Sequence, residues 1–137
     1  MKSILLTLLL IITPNLFADE SVYDEATQLQ LVETIAKEAR RDLWRSGHDD
    51  VWSGVRKVDL EFLKEHTARE FNEQFEDPLD REEISRLFSC FYRTNCSLYY
   101  IAVSSEYYSG YGEEGIFVLI NLETFKHTEI RQAIYSE

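Results

Sequence analysis

Positive charge is scarce in this chain: 14 Lys and Arg stand against 25 Asp and Glu in 137 residues, a formal net charge of −11. A nucleic-acid surface must neutralise phosphates with Lys and Arg, so this balance excludes nucleic acid as a partner. Cysteine is scarce too, and the five residues between Cys90 and Cys96 depart from the Cys-x-x-Cys spacing that redox chemistry favours. The three histidines are scattered as His48, His66 and His127. His66 and Glu70 lack the second His that a helical zinc site needs, and His48, Asp49 and Asp50 lack the Gly-centred loop of a calcium site. No G-x-S-x-G elbow presents a nucleophilic serine. The acids are too numerous for any one pair to mark a carboxylate hydrolase. Internal repeats, low-complexity linkers and a second long hydrophobic run are also missing. The reading is therefore a non-enzyme with no cofactor and no metal.

What the chain does carry at its start is an address. Lys2 precedes an apolar stretch from Ile4 to Ile12, far shorter than the roughly 20 residues of a membrane-spanning helix. Thr13, Pro14 and Asn15 break that stretch, and Ala18 suits cleavage. Residues 1–18 thus read as a signal peptide and residues 19–137 as a single exported domain, periplasmic or secreted, with no membrane span once the signal is removed. Loss of Lys2 makes the mature chain more acidic still. Export puts Cys90 and Cys96 in an oxidising space, where an even count reads as a disulfide. Closing a loop of about seven residues is worth roughly 2 to 2.5 kcal/mol in the chain-entropy model.

The mature chain, 45 % hydrophobic overall, has enough apolar residues for a core. Apolar residues from Val22 through Val32, Ile35, Ala36, Ala39 and Leu43 recur at helical spacing, predicting a helix over 21–46 with Ser21 as its cap and Gly47 as its stop. Residues 47–58 read as a connecting loop with Trp52 packed. Asp59 caps a second helix with Leu60, Leu63, Phe71 and Phe75 on one face, ended by Asp77 and Pro78. Asp80 with Glu83 signals a third, with Ile84, Leu87, Phe88 and Phe91 as its stripe. From Leu98 the period changes to two strands, 98–103 and 116–120, followed by a more polar edge strand at 127–130. The fold class is α+β: three N-terminal helices followed by a small three-stranded antiparallel meander. The two central strands are apolar on both faces, so one face awaits a wrapped helix, a second copy of the chain or a partner.

The candidate site is the stretch Ser104 to Gly115, read as a long loop. Tyr107, Tyr108 and Tyr111 offer large amphipathic contacts, and Glu106, Glu113 and Glu114 add negative charge beside them. The Gly-x-Gly at 110 and 112 is no phosphate cradle, because the flanking acids repel phosphate. These residues predict an exported acidic domain that binds a basic protein and occludes it, as an inhibitor of a secreted toxin or cell-wall hydrolase would. In size, leader, charge and paired cysteines the profile is similar in outline to periplasmic immunity or inhibitor proteins. A small periplasmic hydrolase working through carboxylates, or through His66 with Glu65 or Glu70, is the alternative, although the 61–76 helix reads as a solvated face with paired charges. A self-associating envelope protein, a homodimer through the spare sheet face, is the third reading.

Overall fold

Helices flank an antiparallel sheet in the structure, a computed structural model that describes residues 23–45, 49–72, 78–107 and 110–136. The chain divides into two units, Met1–Leu31 and Val32–Glu137. The expected signal peptide, Ser21 and Gly47 lie outside the described residues. Helix α1 is Glu25–Arg45. Its start is capped by Asp24 rather than Ser21, because the Asp24 carboxylate accepts both the amide and the hydroxyl of Thr27 at 2.9 Å. Those two bonds hold the Asp24 carboxyl below the usual range.

In the second unit, α2 is Leu60–Asn72 and α3 is Arg81–Ser89. Asp59 opens α2 by accepting the Phe62 amide at 2.7 Å. Asp80 and Glu83 form the expected reciprocal box at the start of α3, with bonds of 2.7 and 2.9 Å. A single 3-10 turn, Cys90–Tyr92, follows α3. The disulfide between Cys90 and Cys96 fastens this turn to the start of the sheet, with its Cα atoms 5.4 Å apart.

The sheet has four strands, one more than expected: β1 (Asp49–Lys57), β2 (Cys96–Tyr107), β3 (Gly110–Asn121) and β4 (His127–Ser136), each antiparallel to the next. The added strand is β1, where a loop was predicted. Its polar, Gly-containing sequence has little strand character of its own, and it forms because it completes the open edge of β2, with a bulge between Asp49 and Trp52. Trp52, expected to be packed, is 45 % exposed. Of the predicted loop 104–115, residues 104–107 and 110–115 are also strand. Its ladder continues through Ser104↔Glu113 and Glu106↔Tyr111 to Tyr107↔Gly110, since a ladder once nucleated by the apolar core pairs extends through polar residues. At the far end, Asn121 organises the β3–β4 turn by accepting the Glu123 and Thr124 amides, while Phe125 sits at φ 58 and donates its amide to the Asn121 carbonyl at 2.7 Å.

Both sheet faces are buried, and both are covered from within the second unit. On one face Leu98, Tyr100, Phe117 and Ile130 share a cluster with Leu63 of α2 and Leu87 of α3. On the other, Tyr99, Ile101, Val103, Ile116, Val118 and Ile120 are buried, as are Val32, Ile35, Ala36 and Ala39 of α1. Arg40 fixes this placement by donating from Nη1 to the Ser53 hydroxyl, and Ser53 pairs with Val103 across the ladder. Each large aliphatic or aromatic side chain buried this way contributes about 1.5 to 3 kcal/mol. The sequence pattern that called for a second cover is thus met by a helix.

Glycine is required at one point in the sheet. The Tyr100 ring lies over Gly115, so that a methyl group there would stand 2.9 Å from Tyr100 Cε1 and nearer still to its hydroxyl. Tyr100 also stacks against Phe117, with ring centroids 4.7 Å apart, and cannot give way without disturbing the core. Gly115→Ala is therefore expected to lower unfolding free energy by about 1 to 3 kcal/mol, the range for overpacking. Chemical denaturation measures it, and an unchanged midpoint would refute this account of the ring.

Candidate functional site

The predicted site residues converge on one end of the sheet, where the β2–β3 hairpin closes. Register places Asp49 of β1 beside Glu106 and Ser136 of β4 beside Tyr111, so the hairpin is flanked on both sides by strand. Glu106, Tyr107, Tyr111 and Glu113 thus sit on ladder backbone rather than on a long loop. Their side chains, and all of Tyr108, lie outside the described residues. Glu114 is described, and is half-buried.

One aromatic residue, Trp44, escaped the sequence reading, and a second, Trp52, was expected to be packed. Trp44, in the last turn of α1, is 68 % exposed, and Trp52, near the start of β1, is 45 % exposed. They are the only two tryptophans of the chain. Residues 46–48 join the end of α1 to the start of β1, and Asp42, one half-turn before Trp44, is near enough to act on Glu114. A signal for Trp44 was present: it falls one position past Leu43, off the apolar stripe, where a large apolar residue has no core to enter.

Charge is organised along β3 and β4, from Glu114 near the hairpin end to His127 at the β3–β4 turn. Arg131 lies 3.8 Å from the Glu114 carboxylate and 2.9 Å from that of Glu129, and His127 Nε2 is 3.2 Å from Glu129. Burial pushes the Glu114 carboxyl up; Arg131 opposes that rise, while Asp42 and Glu129 add to it. Burial also acts to raise Glu129, but hydrogen bonds from Arg131 and His127, with their charges, outweigh it and hold the group below the ordinary range.

His66 is not on a solvated face. It is 4 % exposed, lies 3.0 Å through Nε2 from Gln132 Oε1, and contacts the rings of Phe62, Tyr100 and Phe117 at centroid distances of 5.2 to 5.9 Å. The position follows from its spacing, three residues after the buried Leu63 on the inner stripe of α2. The Glu70 side chain lies outside the described residues. Carboxylates do gather nearby, where Asp59, Glu61 and Glu65 line a shallow depression of about 180 Å³ with Arg56 and Phe62. That volume is below the roughly 300 Å³ at which small-molecule sites begin, and the His66 ring is turned away from it into the core. Among the described residues no group of three His, Cys, Asp or Glu is placed to hold a metal ion, and no helix is long and apolar enough to cross a membrane.

No protein family, curated protein or solved structure matches the chain.

The carboxylates of β3 and β4 make a direct test. The raised pKa of Glu114 gives a stability contribution that is present at low pH and lost as pH rises through that pKa. The depressed pKa of Glu129 gives one present above its ordinary pKa and lost as pH falls through the depressed value. In a carbon-detected NMR titration Glu114 should titrate above, and Glu129 below, an ordinary glutamate. Arg131→Ala should move both midpoints upward; midpoints that stay in place would remove Arg131 from this network.

Proposed function

We propose that the chain is an exported, non-enzymatic domain that grips a basic protein at the hairpin end of its sheet and inhibits it by covering its active site. The observation that carries the reading is the exposure of Trp44, in the last turn of α1, and of Trp52 in β1, the strand whose first residue pairs with Glu106. Exposed tryptophan is costly to leave in water and is the residue type most enriched at the energetic centres of interfaces. Acids around such anchors attract a cationic surface and orient it during encounter. Tyr107, Tyr108 and Tyr111 extend the apolar contact, with Glu106, Glu113 and Glu114 as its rim. Setting Glu106, Tyr107, Tyr111 and Glu113 on paired strands lowers the ordering cost of binding relative to a free loop. Cys90 and Cys96, joined as a disulfide, accord with a periplasmic or secreted location.

A hydrolase working through His66 has less support, because that ring is enclosed by aromatic side chains and bonded to Gln132. Self-association through a spare sheet face loses its motive, since α1 covers that face.

Capture from the exported fraction of the source cells, with wild type and a W44A/W52A variant, tests the proposal. Wild type should retain a basic protein and suppress its activity. The double variant should bind it at least about 30-fold more weakly, the loss of a single interface centre worth 2 kcal/mol. Raising ionic strength should slow association more than it speeds release. Equal retention by both proteins would end the reading.

A further inference from the structure

The opposite end of the sheet carries the reverse charge. A groove of about 420 Å³ runs between the disulfide, the end of α3 and the β3–β4 turn, and Arg86, Arg93, Lys126 and His127 line it with no Asp or Glu among the lining residues. In a chain of net charge −11 such a local surplus is not what composition produces by default. Arg86, Arg93 and Lys126 make no ion pair among the described residues. His127 is engaged by Glu129. Arg86 also lies in the last turn of α3, where it offsets the helix dipole, but Arg93 and Lys126 have no such duty.

The walls are fixed before any ligand arrives. The disulfide holds one side. On the other, the Leu122 amide donates to the Asn95 carbonyl at 2.8 Å, the Asn95 side chain donates to Glu123 at 2.9 Å, and the Asn121 amide donates to the Lys126 carbonyl at 2.8 Å. Glu123 is thereby tied to Asn95 beside the groove rather than lining it. Preorganised walls reduce the entropy lost on binding.

We propose that this groove binds a small phosphate-bearing polyol, such as a sugar phosphate. Two guanidinium forks and an ammonium suit the oxygens of a phosphate dianion. Ser89, Thr124 and Thr128 supply hydroxyls along the walls for a hydroxylated body. No Phe, Tyr or Trp side chain lines the groove, so a nucleobase would find no large aromatic stacking face. The volume falls within the range of small-molecule sites. This site is separate from the hairpin end, and the fate of one proposal does not decide the other.

The test is an amide NMR titration of the full chain at low salt with glucose phosphate, with glucose, inorganic phosphate and adenosine monophosphate as comparisons. Glucose phosphate should shift the amides of Arg93, Asn95 and Lys126 saturably and bind more tightly than each comparison. R86A/R93A should weaken it by at least about tenfold, as loss of charged hydrogen bonds requires. K126A, a change at a separate exposed position, should weaken it in the same direction. The proposal is overturned if those amides do not respond, if glucose or inorganic phosphate binds as well, if adenosine monophosphate binds better, or if R86A/R93A binds like wild type.

Discussion

Everything in the second unit follows from two strands that are apolar on both faces. In β2 and β3, Leu98, Tyr100 and Phe117 point one way and Tyr99, Ile101, Ile116 and Val118 the other, and all are buried. An antiparallel sheet usually leaves one face to water and then reads as an alternation of apolar and polar residues. Here no such face exists, so helices must lie on both sides. The chain meets that demand with α1 over one face and α2 with α3 over the other. The disulfide and the capping box then fix where α3 meets the sheet.

Covering both faces limits where function can reside. The surfaces left are the edge strands and the two ends of the sheet. The edges are blunted: β1 carries Arg56 and Lys57 and a bulge, and β4 carries Glu129 and Arg131, devices that discourage edge-to-edge pairing. Even the polar pair inside the core, His66 and Gln132, is bonded and ringed by aromatic side chains. It links α2 to β4. The ends remain, and each has acquired a distinct character.

The sequence made the strongly periodic parts of this arrangement legible. The stripe of α1, the Asp80 and Glu83 box, the paired cysteines and the two apolar strands carry local signals that tertiary context does not override. It failed where context supplies the structure. Nothing in Asp-Asp-Val-Trp-Ser-Gly-Val-Arg-Lys alternates strongly, and β1 exists because the edge of β2 is open to it. The run from Ser104 to Gly115 looks like a loop by composition, yet 104–107 pair with 110–113 because the ladder behind them is already in register. His66 sits among charged neighbours, Glu65 and Glu70, in sequence, but its spacing from Leu63 puts it on the buried side of α2. Trp44 carries no periodic signal because it lies off the apolar stripe of α1, beside Leu43.

The basic groove could not be read from composition at all, and the reason is electrostatic. Arg86, Arg93, Lys126 and His127 come from three separate segments, and only folding collects them. About eleven residues of strand separate the groove from the hairpin end, roughly 35 Å at 3.3 Å per residue. At physiological ionic strength charges are screened over about 8 Å. A ligand at either end therefore responds to the charges within reach and hardly at all to the whole-chain balance. A net charge of −11 governs solubility and the far field that a large partner meets, but it cannot forbid an anion at the groove.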